Sequence, residues 1–101
     1  MARVLLVLAL AVFAFAADDY DDYLDNLDRV NDVLLNCLSV VPPRGDFDRP
    51  ADTCRFDGIF AITEDGADNA GVIAAVVKCL NKKRVAADLI AKAQKCLAED
   101  L

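Results

Sequence analysis

Four cysteines, spaced widely along a short chain, constrain this protein more than any other sequence feature. They are Cys37, Cys54, Cys79 and Cys96, and an even number of cysteines in a small secreted chain predicts a disulfide framework. A domain of this size buries only a modest apolar core, so two crosslinks would supply much of its stability. This interpretation requires that the chain enters an oxidising compartment.

The N-terminus has the order of segments found in a secretory signal. The positive charge of Arg3 precedes an unbroken apolar run over residues 4–15, and Ala14 and Ala16 are small residues at the two positions that a signal peptidase recognises. The run is too short to span a bilayer. We therefore predict a signal peptide at residues 1–16, cleavage after Ala16, and a secreted, extracellular single domain at residues 17–101 without membrane insertion.

The charge of the mature segment limits its partners. Once Arg3 is removed, 10 basic residues remain beside 17 acidic residues, so the net charge is −7 (10 − 17). Nucleic acids and anionic membranes repel such a chain, and we expect neither as a partner. The chain has no histidine, which excludes Ser-His-Asp and Cys-His catalytic groups and removes a usual zinc ligand. We expect no enzyme, no cofactor and no metal site.

Apolar residues recur at steps of three and four, which predicts an all-α fold: three to four short helices crosslinked by two disulfides. The first helix would end at Pro42 and Pro43 and place one apolar face inward, formed by Tyr20, Leu24, Leu27, Val30, Leu34, Cys37, Leu38 and Val41.

The later helices have less regular patterns. A second, short helix would begin at Asp52 or Thr53, although Gly58 leaves open a strand over residues 56–62. A third helix would be capped by Asp68 or Asn69. After a basic hinge at residues 81–84, a fourth would run over about residues 85–97.

Helix geometry disfavours one of the three cysteine pairings. If the chain turns at residues 81–84, Cys79 and Cys96 lie roughly 14 Å apart along the helix axes. A disulfide requires Cα atoms within about 7 Å. Two pairings stay open: Cys37–Cys96 with Cys54–Cys79, or Cys37–Cys79 with Cys54–Cys96.

Arg44, Gly45 and Asp46 follow two prolines in a polar segment. They resemble the integrin-binding tripeptide of adhesion proteins and disintegrins, and such motifs act from loops on a rigid scaffold. The tripeptide also arises by chance in about one or two of every hundred chains of this length. The motif predicts a secreted interaction protein, either integrin-binding or a defence effector, that meets a cell-surface receptor through this loop.

Two further motifs have a functional and an ordinary interpretation. Tyr20 and Tyr23 lie among aspartates and resemble secretory tyrosine-sulfation sites; alternatively, both rings extend the apolar face of the first helix. Lys82, Lys83 and Arg84 resemble a prohormone-processing site or form a charged hinge. The aspartates around these tyrosines lie in a predicted helix and not in the kind of loop that a calcium site usually needs.

The leading functional hypothesis is an extracellular carrier of a small apolar ligand, because disulfide-pinned helical domains can keep an apolar cavity between their helices. In general character the chain resembles the small helical odorant-carrier and chemosensory proteins of arthropods, although the gaps of 16, 24 and 16 residues between its cysteines match neither family. The residues expected to line the cavity are Leu34, Leu38, Phe56, Phe60, Val72, Val76 and Leu89.

Overall fold

Helices account for the regular structure of the protein in this computed structural model, which describes the backbone of residues 2–101 and the side chains of residues 19–101. The elements are α1 (Ala2–Cys37), a short 3-10 helix (Leu38–Val40), α2 (Pro50–Asp65), α3 (Asn69–Lys82) and α4 (Ala87–Asp100). The all-α prediction is confirmed for residues 2–101, and the alternative strand over residues 56–62 is wrong. The predicted signal peptide, residues 1–16, lies outside the residues with described side chains. Within the described part of the chain, no helix combines the length and apolar character needed to cross a membrane.

The start of α2 is set by Pro50 and not by the predicted cap at Asp52 or Thr53. The residue before the helix is Arg49, whose side chain makes no capping hydrogen bond. Proline at the first helical position has a φ angle suited to a helix and lacks an N–H that would otherwise be unpaired. At the other end, Gly66 closes the helix with φ of 65°, a left-handed conformation that glycine adopts without strain.

The boundaries of α3 and α4 follow their predicted positions closely. The carboxylate of Asp68 accepts a 2.9 Å hydrogen bond from the backbone N–H of Gly71, so Asp68 is the cap of α3. The hinge lies at residues 83–86, two residues later than predicted, and contains Arg84 with φ of 57°. In this turn the backbone N–H of Val85 donates to the carbonyl of Leu80 at 3.1 Å.

Two nested disulfides confirm one of the two open pairings. Cys37–Cys96 joins the end of α1 to α4 with Cα atoms 5.5 Å apart, and Cys54–Cys79 joins α2 to α3 with Cα atoms 5.3 Å apart. The other pairing, Cys37–Cys79 with Cys54–Cys96, is wrong. Two bridges thus join the first half of residues 17–101 to the second half.

The core is densely packed where α2 meets its neighbours. A Cβ atom on Gly58 would lie 2.9 Å from Cγ2 of Val76 and 3.1 Å from Cδ1 of Leu34. These distances are too short for a methyl group, so the absence of a side chain lets α2 approach α1 and α3. Fully buried aliphatic residues fill the surrounding space: Val30, Leu34, Leu38, Val72, Val76, Leu80 and Leu97.

Candidate functional site: the loop of residues 42–49

Residues 42–49, here called the 42–49 loop, form an exposed connection between two buried anchors. All eight residues of the loop are exposed, whereas Val41 before them is 5% exposed and Pro50 after them is fully buried. The backbone N–H of Val41 also donates to the carbonyl of Leu38 at 3.0 Å. The core therefore holds both ends of the loop while its middle faces solvent.

A backbone hydrogen bond closes the loop around the Arg-Gly-Asp motif. The N–H of Arg44 donates to the carbonyl of Asp48 at 2.8 Å, which places Gly45, Asp46 and Phe47 at the tip. No neighbouring atom lies within 4 Å of the position that a Cβ on Gly45 would occupy. The tip is therefore open to a partner.

The side chains of the loop offer three kinds of contact. The guanidinium of Arg44 is a planar, permanently charged donor that pairs with carboxylates. The carboxylate of Asp46 supplies oxygen ligands of the kind that divalent cations bind. Phe47, next in sequence, is 103% exposed, so its ring has no contact in the free protein and is available for an apolar contact. The loop therefore presents a cation, an anion and an apolar ring within four residues of an exposed turn.

An apolar groove of about 180 Å³ lies beside the loop and shares Pro42 and Arg44 with it. Its walls come from the loop ends and from the start of α4, and consist of Val41, Pro42, Arg44, Pro50, Val85, Ala86 and Leu89. Val41 also borders two adjacent depressions. Only Leu89 of these residues was predicted to line a ligand site. Val41 was assigned to the inner face of the first helix, and the prolines flanking the loop were the available signal for the rest of the groove.

The residues predicted to line an apolar cavity do not come together around one. Four of them, Leu34, Leu38, Val72 and Val76, are at most 1% exposed and pack in the core. Leu89 is half-buried and lines the surface groove.

The prediction that Phe56 and Phe60 line a cavity with these core residues is wrong. The two rings stack with centroids 6.4 Å apart on the outer side of α2, where they are 49% and 52% exposed. The reason is helical geometry: Gly58 faces the core, and residues two positions away lie on the opposite side of a helix. Arg55 covers part of this surface, with its guanidinium 4.6 Å from the centroid of Phe56.

Tyr20 and Tyr23 lie on a part of α1 that extends past the other helices. Residues 19–26 are all exposed, and Val30 is the first fully buried residue of the described side chains. The two tyrosines are 59% and 36% exposed, and their ring centroids are 6.4 Å apart. The apolar face predicted for this helix is therefore covered only in its C-terminal part.

Asp100 lies beside the outer disulfide, with Oδ2 3.9 Å from Sγ of Cys37 and 3.6 Å from Sγ of Cys96. Within residues 19–101 this is the one cluster of three side chains of types that can bind a metal. Both sulfurs are bonded to each other, so they carry neither a proton to donate nor the thiolate charge that binds a metal. The oxidised cluster is therefore not a metal site.

Comparison with known proteins assigns nothing to the 42–49 loop. No protein-family model matches the chain, and no curated protein or solved structure is significantly similar to it.

Proposed function

We propose that the secreted protein is an extracellular ligand of an integrin-type cell-surface receptor, which it contacts through the 42–49 loop. The observation that carries this proposal is the closed turn: the 2.8 Å hydrogen bond from Arg44 to Asp48 holds an exposed Arg-Gly-Asp motif between two buried anchors. The guanidinium of Arg44 would enter an acidic pocket, and the carboxylate of Asp46 would bind a divalent cation held by the receptor.

The scaffold supports this role by limiting the freedom of the loop before binding. The loop lies between the first two cysteines, so one disulfide fastens the helix before it and the other fastens the helix after it. A motif that is already closed into a turn loses less conformational entropy when it binds, which favours affinity. The same tripeptide in a linear peptide lacks this advantage.

A cell-adhesion assay with a matched pair of variants tests the proposal. Asp46→Glu lengthens the side chain of the motif by one methylene, while Asp48→Glu makes the same change in the same loop, outside the motif. We expect the parent and Asp48→Glu to inhibit or support integrin-dependent adhesion, and Asp46→Glu to be inactive with an unchanged helical circular dichroism spectrum. Equal activity of parent and Asp46→Glu would contradict the proposal.

A second candidate, the carriage of a small apolar ligand, is favoured by the groove beside the loop. Its volume of about 180 Å³ is below the roughly 300–1,000 Å³ of most small-molecule pockets, so only a small apolar ligand or part of a chain would fit. Ala86 is exposed in its wall, and Ala86→Phe would fill the groove. Loss of binding of an uncharged fluorescent fatty probe in this variant, with adhesion unchanged, would support a carrier role; no binding by the parent would exclude it.

A further inference from the structure

Tyr20 and Tyr23 both expose part of their side chains to solvent. All residues from 19 to 26 are exposed, and α1 first packs against the core at Leu27, which is half-buried. The tyrosine rings contact each other, with centroids 6.4 Å apart. An enzyme can therefore reach either phenol without displacing any part of the core.

Both tyrosines are surrounded by negative charge. Residues 18–28 contain six aspartates and no basic residue, and an aspartate directly precedes each tyrosine. The remainder of the mature chain, residues 29–101, has 10 basic and 11 acidic residues, a net charge of −1. The acidity is thus concentrated around the two phenols, and it fits an enzyme with a basic cleft.

The helix around the tyrosines costs little to unwind. Packing against the bundle does not hold residues 19–26, and helices shorter than about 12–15 residues are marginal in water when they stand alone. Asp21 and Asp25 are four residues apart, a spacing at which like charges repel and destabilise a helix. The segment can therefore extend into an active-site cleft while the disulfide-linked bundle stays folded.

We propose that Tyr20 and Tyr23 are O-sulfated during secretion, with a nucleoside phosphosulfate as the sulfuryl donor. The phenolic oxygen forms a bond to sulfur, and the bond between sulfur and the bridging oxygen of the donor phosphate breaks. The nucleoside phosphate leaves with that electron pair, and a base of the enzyme takes the phenolic proton. Two sulfate esters change the net charge of the mature chain from −7 (10 − 17) to −9 (−7 − 2). The proposal requires secretion but does not depend on the 42–49 loop.

The test is the intact mass of the full chain after secretion from cells that sulfate a co-expressed reporter. We expect an increase of two sulfuryl groups that disappears when chlorate blocks donor synthesis and that resists phosphatase. Tyr20→Phe and Tyr23→Phe should each remove one group, and the double variant should carry none. Because both side chains are exposed, the double variant should keep the unfolding midpoint of the parent.

The acidic surroundings have their own test. Asp19→Asn with Asp22→Asn leaves both phenols exposed and should lower the sulfated fraction; an unchanged fraction would contradict recognition through charge. An unmodified parent beside a sulfated reporter would overturn the proposal. So would retention of the chain inside the cell, or a mass increase that phosphatase removes or that persists in the double tyrosine variant.

Discussion

Gly58→Ala tests whether the core around α2 is fully packed, because the substitution has two opposing effects on the free energy of unfolding. Alanine improves the helix propensity of an interior glycine position by about 1 kcal/mol. The new Cβ, however, would lie 2.9 Å from Val76 and 3.1 Å from Leu34, both fully buried. Such overpacking costs about 1–3 kcal/mol. We therefore expect the free energy of unfolding to change by between about zero and −2 kcal/mol.

Guanidinium denaturation of the oxidised protein, followed by far-ultraviolet circular dichroism, measures this change. Val76→Ala supplies the matched background, since it removes the Cγ2 atom that the new Cβ would approach most closely. In that background Gly58→Ala should cost less or become stabilising, with a coupling energy of at least about 0.5 kcal/mol. If Gly58→Ala alone stabilises the parent by the full propensity gain, the core has space at this point and the packing argument is wrong.

Two further predictions concern the disulfides and the acidic segment. Replacing both Cys37 and Cys96 by serine should lower the free energy of unfolding by about 4 kcal/mol, because that bridge closes a loop of 59 residues; an unchanged denaturation midpoint would show that the bridge adds no stability. Asp25→Asn should change stability by less than about 0.5 kcal/mol, and in the stabilising direction, since Asp25 is exposed among like charges. A loss of several kcal/mol in the same denaturation assay would mean that these carboxylates form a structured site.

Much of the fold was predictable because apolar periodicity reports burial directly. Leu34 and Val76 belong to the periodic apolar positions of their helices, and both are fully buried. Helix rise alone disfavoured a Cys79–Cys96 bridge, and the structure contains none. The choice between the two remaining pairings depends on which helices are neighbours, and a single sequence does not specify that arrangement.

The orientation of α2 was not predictable from hydrophobicity. The aromatic rings of Phe56 and Phe60 favour an inward face, yet the structure turns Cys54 and Gly58 inward. The disulfide of Cys54 and the close packing at Gly58 decide this orientation. Neither cysteine nor glycine stands out in a pattern of hydrophobic residues. Similarly, Tyr20 continues the apolar stripe of α1, but that end of α1 is uncovered. The other helices are too short to reach it, since α2 has 16 residues and α3 and α4 have 14 each.

Direct binding of the secreted, oxidised protein to a purified integrin that recognises Arg-Gly-Asp tests the proposed function most directly. The measurement compares binding in Mg²⁺ and in chelator by surface plasmon resonance, for the parent, Asp46→Glu and Asp48→Glu. We expect saturable binding of the parent and of Asp48→Glu in Mg²⁺, and competition by a soluble Arg-Gly-Asp peptide. Binding should be lost in chelator and in Asp46→Glu. No binding by the parent, or binding that Asp46→Glu leaves intact, would contradict it.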